Sequence, residues 1–387
     1  DIPNTLERRM KESIIIKNLG PLQDIIIEDI KPLSILIGSS GSGKSLLMKT
    51  ISMMRYIYKR VNIRSYLINS GLKRSPFRLR FESMLHDDMD FYLKQSNVKI
   101  IYKVEFSSGW NYTVEYSDGT IKVPKKIADD DLVFAKESWV SETRNVIPQW
   151  IANPANGRGS LGFYFTETLN DFGEGANVLK EIDMAFVGAR LEIVKVKGIL
   201  RFMLKIEGVS NPIELRFASS GMQTSAPLAL LVKYFSNDFS FKDAKRRSVL
   251  SYLYDTDQLA EFHPSIELAA VKSLVQMHIE EPELSLDPRS QIKLLDTLID
   301  TAFINNTNNV NLMFATHSPY IVNALNLVMA RTRGTALAAD KIGVYRLVDG
   351  RNINLMSQDQ DGRHIVDTGD LTEPMAEILD EYRQLMR

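Results

Sequence analysis

One eight-residue stretch, GSSGSGKS from Gly38 to Ser45, restricts this chain more than any other. It fits the pattern G-x-x-x-x-G-K-[ST] in full. An Ile-rich apolar run leads into it, and KSLLMKTISMMRYIYKR, with apolar residues at helical spacing and neither Gly nor Pro, leads out. Strand, glycine loop and helix in that order turn backbone N–H groups toward a phosphate and add the positive end of a helix. The expected nucleotide cradle is therefore Gly38, Ser39, Ser40, Gly41, Ser42, Gly43, Lys44, Ser45 and Leu46. In it Lys44 reaches the β- and γ-oxygens and the Ser45 hydroxyl ligates Mg²⁺.

A Mg²⁺-nucleotide needs a carboxylate from a neighbouring strand, and VQMHIEEPELSLDP (275–288) offers four in a chain whose net charge is only −1. Like charges crowd together at a cost unless a cation sits among them. The run begins apolar, as a buried strand does, so Glu280 and Glu281 fall at a strand end. Strand alternation points the two acids opposite ways: Glu280 toward the metal, Glu281 toward an attacking water. A solvated acidic turn would carry the same letters, and the phosphate-loop pattern decides against it. Gln276 and His278 sit oddly on a doubly covered strand, and His278 reads as a core histidine with satisfied hydrogen bonds. NLMFATHSPYIV (311–322) is a second short strand; Ser318 and Pro319 suit a helix start, and His317 is placed to donate to a γ-phosphate. In RFASSGMQTSAPLALLVKYF (216–235), Ser219, Ser220, Gly221 and Gln223 precede a helix, where a cap and an anion site share one pattern.

The rest of the chain sets bounds. At 387 residues, two or three domains or one α/β domain with insertions are expected. The absence of cysteine excludes disulfides, thiol chemistry, iron–sulfur clusters and cysteine-ligated zinc. Apolar runs such as APLALLV (226–232) fall far short of the roughly 18 residues of a membrane span, and the N-terminus carries charge where a signal peptide needs apolar residues. A cytoplasmic protein with no membrane partner is expected. Three short strands are predicted over 13–40 and antiparallel strands over 98–123, with a turn at Ser117-Asp118-Gly119. A mixed, mainly helical stretch over 124–190, strands over 190–217 and a polar insertion over 236–270 follow. A hairpin and a terminal helix close the chain.

These pieces, in this order, resemble ABC-type ATPase heads of the SMC and RecF kind, and more closely the stand-alone heads of OLD and related phage-defence ATPases. IIIKNLGPLQDIIIEDIKPLSILIGSSGSGKS resembles that group's opening. SSGMQ (219–223) resembles the ABC signature, IEEPELSLDP (279–288) the Walker B strand with its D-loop, and ATHSP (315–319) the switch histidine. The resemblance covers 13–60 and 215–330 and is loose over 61–190. It implies an α/β fold with a mixed sheet, an N-terminal antiparallel β region and an inserted helical region. The core would comprise 1–60 and 190–387, and the inserted lobe 61–190. It further implies ATP and Mg²⁺ held between two copies of the chain in a homodimer or higher homo-oligomer. Ser220, Gly221 and Gln223 of one copy would close over the γ-phosphate bound by Lys44 and Ser45 of the other, and Asp287 would cross the interface. Glu281, His317 and Lys44 are the catalytic candidates; Ser45 and Glu280 are the metal ligands.

The Q-loop glutamine stays open between Gln95 and Gln149, and Arg144 is a candidate phosphate or interface contact. The chain shows no long heptad region, and the roughly 70 residues after His317 are too few for the nuclease domain that full-length OLD proteins carry. The effector, a nuclease or toxin, is therefore expected on another chain. Direct DNA sensing is the alternative, through the basic stretches LKRSPFRLR (72–80) and KDAKRR (242–247), which ordinary solvated loops also explain. A scaffold that holds ATP with little turnover is a third reading.

Overall fold

The computed structural model describes residues 10–72, 89–152, 162–256, 259–332 and 337–386. Three Ile- and Leu-rich strands open it: β1 (Met10–Leu19), β2 (Leu22–Ile27) and β3 (Leu33–Gly38). The long helix α1 (Lys44–Asn69) starts directly after the glycine loop. A short helix α2 (Met89–Leu93) precedes β4 (Lys99–Phe106), β5 (Asn111–Ser117) and β6 (Thr120–Lys122). The turn between β5 and β6 takes positive φ at Asp118 and Gly119, as its sequence predicts.

The stretch 124–190 differs from its helical expectation. It contains β7 (Val133–Val140), then α3 (Ile147–Ala152), α4 (Phe163–Val178) and β8 (Glu181–Met184). Lys136 and Glu137 in the middle of VFAKESWV disguise a strand. The structure accommodates the lysine by pairing it with Asp171 of α4 at 2.7 Å, where the Ser138 hydroxyl also donates. β9 (Ala189–Val196), β10 (Ile199–Ile206) and β11 (Ile213–Glu214) complete a separate four-stranded antiparallel sheet with β8.

Next come α5 (Ser220–Lys233), α6 (Phe241–Thr256), β12 (Lys272–Glu280), α7 (Pro288–Ile299), β13 (Val310–Thr316) and α8 (Pro319–Arg331). The hairpins β14 (Ile342–Val348) with β15 (Arg351–Asn354), and β16 (Met356–Gln358) with β17 (His364–Val366), lead to α9 (Gly369–Leu385). The polar stretch 236–270 thus contains the helix α6. Its basic KDAKRR run is not simply a solvated patch: Lys245 is buried and donates to the carbonyls of Leu268 and Val271. Of the other basic stretch, residues 73–80, including Arg74, Arg78 and Arg80, lie outside the described residues.

The main sheet has eleven strands in the order β6-β5-β4-β1-β2-β15-β14-β3-β13-β12-β7. From β6 to β2 all neighbours are antiparallel; from β14 to β7 all are parallel. Strands β4–β7 all come from residues 61–190 and are hydrogen-bonded into the same sheet as β3. Helices cover both faces of the parallel half, which explains the near-continuous burial of β3 and β13. One core lies between this sheet and α4, α5, α7, α8 and the small sheet; the other lies under α1. The chain is a mixed α/β protein. No described helix is long and apolar enough to cross a membrane.

The polar residues of β12 have a partner network in the second core. Glu12 of β1 accepts from Arg55 Nε at 2.9 Å and from Gln276 Nε2 at 2.5 Å. Arg55 Nη1 lies 3.1 Å from His278 Nε2, while His278 Nδ1 faces the Ser138 carbonyl at 3.3 Å. An arginine can only donate, so Nε2 accepts and Nδ1 carries the hydrogen. Burial and the Arg55 charge hold the His278 pKa well below its usual value. His278 is a neutral core histidine, as its sequence setting suggests.

Candidate functional site

Parallel strands side by side bring their C-terminal ends to one edge of a sheet. Here β3, β13 and β12 are consecutive neighbours, so Gly38, Thr316-His317 and Glu280-Glu281 converge although they are far apart in sequence. The glycine loop follows β3. A Cβ at Gly38 would lie 2.7 Å from Ser42 Oγ and 2.8 Å from the Leu347 carbonyl, so no larger residue fits there. Gly43 turns into the helix at φ +95, and a Cβ on it would press into Leu22 at 2.6 Å.

Ser39, Ser40, Gly41 and Ser45 are exposed. The Leu47 N–H donates to the Gly43 carbonyl at 2.8 Å, which closes the first turn of α1 and leaves the N–H groups before it at the open helix end. The Leu46 side chain is buried in the core, which leaves its backbone N–H as the group it offers to the loop. Lys44 is 5 % exposed and donates to the Gly38 and Ser39 carbonyls, both at 2.9 Å. Burial lowers its pKa, against the opposing pull of Glu281 and Glu283.

Ser42 Oγ is buried without a hydrogen-bond partner among the described residues. An orphaned hydroxyl in a glycine loop at the open start of a helix suits an anion, and the loop therefore fits a phosphate. A cavity of about 380 Å³ borders the loop, lined by Pro21, Ser39 to Ser42 and the β14–β15 turn at Asp349-Gly350.

The two acids behind β12 have different surroundings. Glu280 ends the strand and is 7 % exposed. Its carboxyl takes a hydrogen bond from Trp139 Nε1 at 3.3 Å and shares another with Glu142. Burial, reinforced by Glu142, pushes the Glu280 pKa up to about 8. The shared hydrogen bond holds Glu142 below the usual carboxylate range. Two carboxyls from neighbouring strand ends in contact hold one proton between them, and a divalent cation could replace that proton. Glu280, Glu142 and the exposed Ser45 thus suit Mg²⁺ by donor chemistry, all being oxygen ligands.

Glu281 does not simply continue the alternation of β12. It leaves the strand at φ +42, a conformation uncommon for a non-glycine residue, with its N–H donating to the Ala315 carbonyl at 2.8 Å. Its half-exposed carboxylate lies 3.7 Å from His317 Nε2. Glu283 fixes the histidine's backbone: its Oε1 accepts from Thr316 Oγ1 at 2.7 Å and from the His317 N–H at 2.8 Å. Ser318 caps α8, as its sequence predicts.

The start of α5 packs on the turn that follows these acids. Ser219 caps the helix, Ser220 is exposed, and Gly221 lies against the Ser285 carbonyl. Gln223 donates to the Ala218 carbonyl at 2.8 Å. Asp287 is exposed and caps α7 through the N–H groups of Arg289 and Ser290. None of these hydrogen bonds runs to the glycine loop of the same chain. Gln95 accepts from the Gly20 N–H at 3.1 Å, and exposed Gln149 lies in α3, where it lines a pocket with Arg201 and Glu214. Arg144 contradicts its expected role as a phosphate or interface contact: its side chain is fully buried and donates to backbone carbonyls. Glu142 and Trp139 are site residues that sequence reasoning did not select, and Glu283 was counted among the four acids of 275–288 without a role. SETRN (141–145) carried a signal for the first only through its acid–arginine pair, because the pairing of β7 with β12 has no local signature.

No family model matches the chain, and no curated protein matches it. Among solved structures, the chain is similar to an Smc head bound to the C-winged helix domain of ScpA. That likeness has a TM-score of 0.38 and 11 % identity, over 89 % of this chain and 97 % of the other. It is likewise similar to the SMC head domain from Thermotoga maritima, with a TM-score of 0.36 and 12 % identity over 91 % and 100 % of the two chains. The recombination mediator protein RecF with ATP, of the RecFOR pathway, gives 0.37 and 12 % over 90 % and 100 %.

Proposed function

We propose that this chain is a Mg²⁺-dependent ABC-type ATPase that closes into a dimer on ATP and controls an effector on another chain, in anti-phage defence. One observation carries the ATPase reading: three neighbouring parallel strands deliver a phosphate-binding loop, a pair of acids in unlike environments and a histidine to one sheet edge. In this reading Lys44 leaves the Gly38 and Ser39 carbonyls for the β- and γ-phosphate oxygens, and the loop N–H groups with Ser42 hold the phosphates. Mg²⁺, when bound by Ser45, Glu280 and Glu142, neutralises phosphate charge. Glu281 orients the attacking water and takes its proton. His317, held by Glu283, donates to the γ-phosphate.

Dimerisation is supported by what the isolated chain leaves outward. Ser220 and Asp287 are exposed beside one another's elements and make no bond to their own glycine loop, so a second copy has a free surface to bring to the phosphate. The effector and the defence role follow from the resemblance of the motifs. The test is Glu281→Gln. ATP turnover should fall by about a hundred-fold or more, with ATP still bound and a longer-lived dimer. Unchanged turnover removes Glu281 as the base, and no affinity of the unmodified chain for Mg²⁺-ATP removes the whole reading.

A further inference from the structure

We propose that Arg144 is the positioning residue that holds Glu281 in its working geometry and ties it to the start of α5; the proposal rests on the reading of Glu281 given above. The Arg144 side chain is 0 % exposed. Its guanidinium donates to four main-chain carbonyls on three separate segments: Nε to Thr224 at 2.9 Å, Nη1 to Ser141 at 3.1 Å and to Glu280 at 2.8 Å, and Nη2 to Glu281 at 2.7 Å. A planar fork of five N–H groups can fan out this way. A lysine ammonium, a single point with three donors, cannot.

A charge buried this deeply is costly, and burial pushes the Arg144 pKa down to about 10 despite the acids Glu283, Glu280, Glu281 and Glu142 around it. An apolar side chain in its place would leave the four carbonyls buried without a donor, so the arginine is what joins these three segments. Its bonds show which backbone it fixes. Glu281 sits at φ +42, a strained setting. Its N–H is fixed by Ala315, and its carbonyl, with that of Glu280, is fixed by Arg144. The same guanidinium grips the Thr224 carbonyl in α5, and the Thr224 hydroxyl donates to the Leu284 carbonyl at 2.8 Å in the turn after the acids. A displacement of the α5 start, where Ser220 is exposed, therefore moves the backbone that aims Glu281.

The experiment measures ATP turnover and ATP binding separately in the unmodified chain, Arg144→Lys and Arg144→Ala, the last with and without guanidinium ion. Turnover in both variants should fall about ten- to a hundred-fold. The Kd for Mg²⁺-ATP should stay within about two-fold. Guanidinium, but not methylammonium, should restore part of the turnover of Arg144→Ala. Unchanged turnover overturns the proposal. So does loss of ATP binding in step with turnover, or failure of both variants to fold with or without guanidinium, since either makes Arg144 a core residue only. If the unmodified chain has no turnover, the reading of Glu281 fails and this proposal with it; turnover that survives Arg144→Lys removes this proposal alone.

Discussion

Replacing Gly221 with alanine sets two effects of known size against each other. Alanine in place of glycine stabilises a helix interior by about 0.5–1 kcal/mol, and less in the first turn, where Gly221 sits. Against that, the new Cβ would lie 2.7 Å from the Ser285 carbonyl oxygen and 3.0 Å from Leu286 Cδ2. The closer atom is backbone, so no rotamer change relieves it. The turn is held from three sides: Thr224 Oγ1 bonds the Leu284 carbonyl, the Leu286 N–H bonds Glu283, and Gln291 Nε2 bonds the Leu286 carbonyl at 2.8 Å. Overpacking of this kind costs about 1–3 kcal/mol, so the net effect is destabilising by about 1–2 kcal/mol. Gly173→Ala in α4 is the control. Its Cβ would meet only the flexible end of Ile151 at 3.3 Å, so propensity wins and the variant gains about 0.5 kcal/mol. Urea unfolding of both variants beside the unmodified chain reads the two signs. A Gly221→Ala chain as stable as Gly173→Ala would refute the claim that the α5 start is clamped on the acidic turn.

Two further outcomes follow from the buried charges. Glu280 has a folded pKa raised to about 8, so its contribution to stability is full below the ordinary carboxylate range and is lost as pH rises through 8. A cation needs the ionised form, and Mg²⁺ should therefore bind up to about tenfold more tightly per pH unit between 6 and 8, releasing a proton; Mg²⁺ titrations of ATP turnover at both pH values check this, and a flat response contradicts it. Glu12→Gln keeps the shape at β1 but strands the Arg55 guanidinium in the core. It should cost about 3 kcal/mol or more in denaturant unfolding, with Mg²⁺-ATP affinity unchanged. A loss within experimental scatter would mean that the Glu12–Arg55–His278 network does not hold β1, α1 and β12 together.

Much of the site was legible because its signals are local. GSSGSGKS announces a tight turn between strand and helix in eight residues, and VQMHIEEP and NLMFATHSP each show a mainly apolar run ending in polar groups. The odd letters of β12 were legible as a question only. Gln276 and His278 look misplaced until Glu12 and Arg55, more than two hundred residues earlier in the chain, arrive beside them. β7 was missed for the opposite reason. Its Lys136 and Glu137 break the apolar pattern of a buried strand, and the Asp171 that pairs with the lysine sits on a different element.

The residue order by itself determined where the chain turns, which segments are strand or helix around the glycine loop, and which residue types could hold a phosphate or activate water. These depend on backbone conformation over a few neighbours. The tertiary structure alone decided that β7 lies against β12. That pairing sets Glu142 on Glu280 and buries Arg144 under Glu281, instead of leaving it to meet a phosphate. Parallel strands are joined by long crossovers, and the partner and register of each are set by side-chain packing across the whole sheet, which no short window of sequence records.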